Sequence, residues 1–287
     1  GKGKVKLPPL LPAINYVRCF DFETNKIILA STGAPYGVGP YQFATYDVEN
    51  EEWIEATPSI NMGGSSLFEG CAVVEGFLFV VRGTPGYSNI IYKFSFPDGI
   101  QIKNAIAMGS SYTAFDNDNE YLYFGDQSVH YNFMRKFNTN LDLVAETPRH
   151  WFKYWDFGLA CSDDGLYIPG TKGRAAPPYH KCVVSKDLST HIETESEIAG
   201  KLFLGAGSSN YLFFKLKDRS HYHYCIVDKD FNLIKIYYEP YISVDLNYIK
   251  AMSIGILKDY IVLVTDKKTI KVFDWDFELV KILQIIP

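Results

Sequence analysis

The residues best equipped for chemistry are scattered histidines, serines and carboxylates, and their spacing decides what each can do. His130, His180 and His221 recur about 45 residues apart, in corresponding loops of successive segments. Three imidazoles converging would make a zinc site, but they form no local ligand motif and would sit far apart if each belonged to its own structural unit. No metal site is therefore expected there. Asp116-Asn117-Asp118-Asn119-Glu120 alternates oxygen donors as a calcium loop does, yet it lacks the turn glycine and terminal Glu of an EF-hand and occupies a turn position. The expectation is no cofactor, with calcium at this loop as the fallback. Ser110 and Ser111 fall near Asp156 and His150 only across a segment boundary, and the chain contains no Gly-x-Ser-x-Gly elbow, P-loop or His-Glu-x-x-His. No catalytic residue is assigned.

A second chemistry is recognition. Tyr131, His150, Trp151, Trp155, Tyr179, His180, Arg219, His221 and Tyr222 are aromatic, histidine or basic residues that fall at one end of the strands positioning them, and they form the candidate ligand-binding set. Rigid rings and guanidinium forks supply contact area and hydrogen bonds at low entropy cost. Asp47, Asp98, Asp116, Asp163, Asp187, Asp228 and Asp274 belong to turns at the other end, which is expected to be negative.

The elements that must position these residues repeat. Apolar bursts recur at Lys26-Ile27-Ile28-Leu29, Phe77-Leu78-Phe79, Tyr121-Leu122-Tyr123, Leu166-Tyr167-Ile168, Tyr211-Leu212-Phe213 and Tyr260-Ile261-Val262. Polar turns recur in step at Asp47-Val48-Glu49-Asn50, Ser95-Phe96-Pro97-Asp98-Gly99, Asn138-Thr139-Asn140, Ser185-Lys186-Asp187, Asp228-Lys229-Asp230 and Asp274-Trp275-Asp276. The shared period of about 45 residues is that of propeller blades. Each copy holds four short runs rich in Tyr, Phe, Val and Ile, and no helical period is sustained.

Isolated four-stranded sheets cannot bury both faces, but sheets packed radially can. The expectation is an all-β chain forming a single six-bladed β-propeller of four-stranded antiparallel blades. Residues 1–13 would be a Pro-rich basic arm, and 14–287 the propeller, with blades at about 14–57, 58–104, 105–147, 148–194, 195–238 and 239–287. The arm, with Lys2, Lys4 and Lys6 ahead of Leu7-Pro8-Pro9, would either strap its own last blade or assemble with a neighbour. The Gly-rich run from Ser31 to Pro40 has the wrong spacing for a nucleotide fingerprint and reads as a connector.

Tyr46-Asp47-Val48-Glu49-Asn50-Glu51-Glu52-Trp53, Cys71 to Gly83 and Tyr92 resemble kelch-type propeller repeats in the first two blades. Arg82-Gly83 stands where kelch has a glycine pair, and the later blades keep neither the pair nor the tryptophan at that position. The resemblance implies the fold and brings no partner with it.

Composition narrows the classes further. A 47% hydrophobic and 16% aromatic content predicts an ordered core, and a net charge of −5 argues against nucleic acid as a partner. No apolar run approaches the roughly 18 residues of a membrane span, so a soluble chain is expected. Cys19, Cys71, Cys161, Cys182 and Cys225 are odd in number and lie inside strands, which predicts small buried unpaired thiols and leans towards a reducing compartment. A first residue other than Met leaves a secreted or surface location open. The leading expectation is a non-enzymatic interaction scaffold that binds a protein or a carbohydrate through the aromatic and basic face. The alternatives are a metal-dependent lactonase or hydrolase using Glu69, Asp156 and Asn247, and a structural subunit of a surface or virion assembly.

Overall fold

The structure is a computed structural model. It describes residues 2–6, 13–32, 40–54, 57–61, 67–83, 88–109, 113–126, 133–151, 159–171, 179–196, 201–205, 211–217, 222–230, 232–237, 254–264 and 269–286. The described residues contain strands and turns and no helix, and the strands are organised as in a β-propeller. The first sheet comprises β2 (Ala13–Asp21), β3 (Lys26–Thr32), β4 (Tyr41–Asp47) and β5 (Glu52–Ile54). The second holds β6 (Leu67–Val74), β7 (Phe77–Gly83), β8 (Asn89–Ser95) and β9 (Gln101–Met108). The third is β10 (Thr113–Asn117), β11 (Leu122–Asp126), β12 (Met134–Phe137) and β13 (Leu143–Glu146). The fourth is β14 (Ala160–Cys161), β15 (Leu166–Thr171), β16 (Tyr179–Val184) and β17 (His191–Ser196). The fifth is β18 (Lys201–Gly205), β19 (Tyr211–Lys217), β20 (Tyr222–Asp228) and β21 (Leu233–Tyr237). The last is β22 (Ile254–Ile256), β23 (Ile261–Val264), β24 (Thr269–Phe273) and β25 (Leu279–Ile286), with β1 (Lys2–Lys6) added parallel to β25.

The chain divides into two compact units: residues 1–106 with 241–287, and residues 107–240. In the first, β2 packs against β6 and β22; in the second, β10 packs against β14, and β14 against β18. First strands therefore meet first strands within each unit. The cores lie between sheets. Ile28, Tyr41 and Phe43 meet Val73, Leu78, Val80 and Phe94, and Ala114, Tyr123 and Met134 meet Cys161, Leu166, Ile168 and Cys182. Alternation along each strand sends successive side chains to opposite faces, so both faces of an inner strand are apolar.

The polar turns fold for a local reason. The first residue of each third-to-fourth-strand turn caps the turn with its own side chain. Asp228 Oδ1 accepts from the amides of Asp230 and Asn232, Asp274 Oδ1 from Asp276 and Glu278, and Asn138 Oδ1 from Asn140 and Asp142. Ser185 Oγ accepts from Ser189 and Thr190, and Asp47 Oδ1 from Glu49 and Asn50. Leu141, Leu188 and Phe277 then adopt left-handed backbone (φ 58°, 60° and 60°) and plug the core. Such a conformation costs a bulky residue about 1–2 kcal/mol, while burying the side chain returns about 1.5–3 kcal/mol, so burial wins.

Two details differ from the sequence expectation. Strand β9 runs to Met108, so the second sheet extends past residue 104. Cys71 is disulfide-bonded, whereas Cys161 and Cys182 are free buried thiols. The expectation of buried unpaired thiols is corrected at Cys71 and holds at Cys161 and Cys182: strand periodicity places a thiol on a face but does not reveal which thiol lies opposite.

Candidate functional site

Within each sheet the turns after strands one and three leave at one end, and the connection after strand two and the exit of strand four leave at the other. The turn end is where most carboxylates are committed to structure. Asp118 Oδ1 accepts from the amides of Glu120 and Tyr121, and its Oδ2 accepts from the Tyr123 hydroxyl at 2.9 Å and pairs with Lys186 at 3.2 Å. Asp116 is buried and accepts from its neighbour Asn117 and, across to the fourth sheet, from the Cys161 amide at 2.8 Å. A cation at residues 116–120 would compete with these bonds. Among the described residues no group of three or more His, Cys, Asp or Glu side chains is placed to hold a metal.

Lysines complete this scaffold. In the second unit Lys136 Nζ donates to the Lys186 carbonyl at 2.9 Å, and Lys181 Nζ donates to the Lys229 carbonyl at 3.1 Å. Lys229 reaches back to Asp163 at 2.7 Å and Asp164 at 3.1 Å. In the first unit Lys281 Nζ donates to the Val48 carbonyl at 2.6 Å and pairs with Glu51 at 2.7 Å. Each acceptor carbonyl belongs to the second residue of a third-to-fourth-strand turn in the following sheet. Asn25 and Asp259 tie the first and last sheets by a reciprocal pair of bonds, 2.6 and 3.1 Å.

The electrostatics follow this geometry. The hydrogen bond from Lys229, reinforced by its charge against the opposing effect of burial, holds the Asp163 carboxyl below its ordinary range. Burial pulls Lys229 down, but its bonds to Asp163 and Asp164 outweigh that and raise it. Hydrogen bonds from Ser185 and Ser189 lower Asp187 to about 2. Burial, followed by the nearby Asp118 charge, pushes the Tyr123 hydroxyl up. These are perturbations of packed ion pairs and turns.

The connection end is different in character. Arg149 is exposed with its guanidinium 5.8 Å from the Phe133 ring centre, and His150 beside it is exposed with left-handed backbone, φ 59°. Trp151 turns inwards: it is half-buried against the core of the third and fourth sheets, its ring 4.0 Å from that of His191. Tyr179 begins β16 and Tyr222 begins β20, both at the connection end, and the half-buried His180 follows Tyr179. Tyr131, Trp155, Arg219 and His221 lie outside the described residues, as do His130, Ser110, Ser111, Asp156 and Asn247. Trp151 and His150 are thus neighbours with opposite fates, one packed and one presented.

In the second sheet Arg82, near the end of β7, is buried with its guanidinium 5.6 Å from the Tyr41 ring and 6.0 Å from the Tyr92 ring. Asn89, paired in register with Gly83, is fully buried beside it in the ladder. In the sequence Arg82 stands out as a basic residue near the connection end and as a departure from a glycine pair; the structure buries it. The lysine bridges were missed altogether: Lys136 and Lys181 lie on third strands and Lys281 on a fourth, and a lysine within a strand does not announce which carbonyl of the neighbouring sheet accepts from it.

No family model matches the chain, and no curated protein matches it. Among solved structures it is similar to a protein of unknown function from Bacteroides caccae, with a TM-score of 0.55 and 9% identity over 90% of this chain and 93% of that one. At that identity the likeness concerns the fold alone. No helix among the described residues is long and apolar enough to cross a membrane.

Proposed function

We propose that the protein is a six-bladed β-propeller that works as a non-enzymatic recognition module, binding a protein or glycan partner through its connection end. The blade count is supported by six sheets whose strands follow in sequence order among the described residues. The kelch-like pattern of the first two blades enters as a likeness of fold: Trp53 packs edge-on against Tyr46, ring centres 5.3 Å apart, as a structural residue of that pattern would.

One observation carries the functional reading. At the turn end Asp47, Asp116, Asp118, Asp163, Asp228 and Asp274 bind the protein's own amides, hydroxyls and lysines, whereas Arg149 and His150 stand exposed side by side at the other end. An exposed guanidinium next to an exposed imidazole offers hydrogen-bond donors and a flat ring together, which suits sugars and polar protein patches. Glycan arrays and affinity capture with purified protein, repeated with Arg149→Ala and His150→Ala, test it. Any partner found should lose at least about tenfold in affinity with each variant, while thermal unfolding stays unchanged. Equal binding by both variants would remove this end from the reading.

A further inference from the structure

We propose that β9 of the second sheet is a homotypic docking edge, pairing antiparallel with β9 of a second copy of this chain about a two-fold axis at Asn104. Outer strands expose a row of backbone donors and acceptors, and proteins normally blunt such edges by shortening, charging or covering them. Among the described strands every other sheet follows that rule. β5 has only three residues and β13 four. β17 carries Glu193 and Glu195, β21 is only five residues long with Lys235 at its centre, and β25 is covered by β1.

β9 is the exception. It runs for eight residues, no described strand lies on its outer side, and its sequence Gln-Ile-Lys-Asn-Ala-Ile-Ala-Met contains no acid and a single lysine. Ile102 is 51% exposed and Ile106 60%, with Ile100 just ahead of the strand at 62%. Residues 100, 102, 104 and 106 share one face by the period of two.

Charge and pattern together select the occupant. A two-fold perpendicular to the sheet pairs residues of equal parity on one face. Centred on Asn104, it sets Ile102 against Ile106 of the other copy, Lys103 against Ala105, and Asn104 against itself. No like charges meet. The same operation near the middle of β17 opposes glutamates, and at the centre of β21 it opposes Lys235 to its twin, which is unfavourable. The Ala107 carbonyl already accepts from Arg135, so the ladder spans 102–106 and stops there. The contact is isologous, as a closed dimer requires. β1 on β25 shows that an outer edge of this chain accepts a further strand.

Sedimentation equilibrium of the full chain from low to high micromolar concentration tests the proposal, with Asn104→Pro and Ile102→Glu on β9 and Leu143→Glu on β13 as control. The expected result is a concentration-dependent dimer weakened at least about tenfold by either β9 variant and left intact by the control. Asn104→Cys should, under mild oxidation, yield a covalent dimer linked at position 104, because directly opposed residues of antiparallel strands lie about 4.5–5.5 Å apart, within disulfide reach. A wild type that stays monomeric throughout, a dimer that survives both β9 variants, or a dimer that gives no link at position 104 overturns it.

Discussion

The Lys136 ammonium donates to the Lys186 carbonyl at 2.9 Å while lying 4.0 Å from the centre of the Tyr121 ring. Lys136 is buried, so this bond and the ring face replace the water it has lost. Lys93 occupies the corresponding place in the second sheet, 3.9 Å from the Phe77 ring. Lys136→Met keeps the aliphatic stem and removes the charge, leaving the Lys186 carbonyl without that donor. Urea unfolding should show a loss of about 2 kcal/mol, and a loss below the error of the fit would reassign the bond to mere proximity.

Gly255 is buried in β22 with the Phe20 ring lying across it; a Cβ there would collide with the ring carbons of Phe20. The close approach, and no special backbone angle, is what demands glycine. Gly255→Ala should destabilise the protein by about 1–3 kcal/mol, and pairing it with Phe20→Leu should recover part of the loss. Additive effects of the two changes in thermal unfolding would show that they do not interact.

Leu188 holds left-handed backbone in the turn of the fourth sheet and is only 4% exposed. Leu188→Asn suits the backbone better yet abandons the core, so the balance above predicts a net loss of about 0.5–1 kcal/mol. A more stable variant would mean that backbone strain outweighs burial at this turn.

Asp187 and Asp163 are held low in the folded protein, the first to about 2 by hydrogen bonds from Ser185 and Ser189, the second chiefly by the bond from Lys229. Unfolded, each carboxyl would titrate near its ordinary value of about 3.9. Their contribution is thus present above about pH 4 and is lost as pH falls through the folded values. Stability should decline on acidification from about pH 5 towards pH 2, and Asp187→Asn should make the decline shallower. An unchanged slope in the variant would exclude Asp187 as a source.

Burial pushes the Cys161 and Cys182 thiols up, and Cys71 is held in a disulfide. Alkylation of the native protein at mildly alkaline pH should leave all three unmodified, since thiolate and access are both needed. After unfolding without reductant, Cys161 and Cys182 should react and Cys71 should not. Rapid labelling of Cys161 in the native state would contradict the packing of the third sheet against the fourth.

Much of this fold is written locally. The apolar bursts and capped turns can be read from Lys26 to Trp275 because a hairpin needs only neighbours: Asp228 caps the turn it begins, and Tyr211-Leu212-Phe213 pairs with the strand that follows it after a short connection. Which sheet edge is covered, and by what, is non-local. The last blade is one of two partners the arm could be given, but nothing in Lys2–Lys6 sets the parallel pairing or the register with Leu279–Ile286, and nothing in Cys71 distinguishes it from Cys161. The same holds at the connection end, where Arg149, His150 and Trp151 are consecutive and equally polar-aromatic in sequence. Packing alone decided that the indole joins the core beside His191 while the arginine and histidine face solvent, because burial depends on the space left by distant strands and a strand's own residues do not record it.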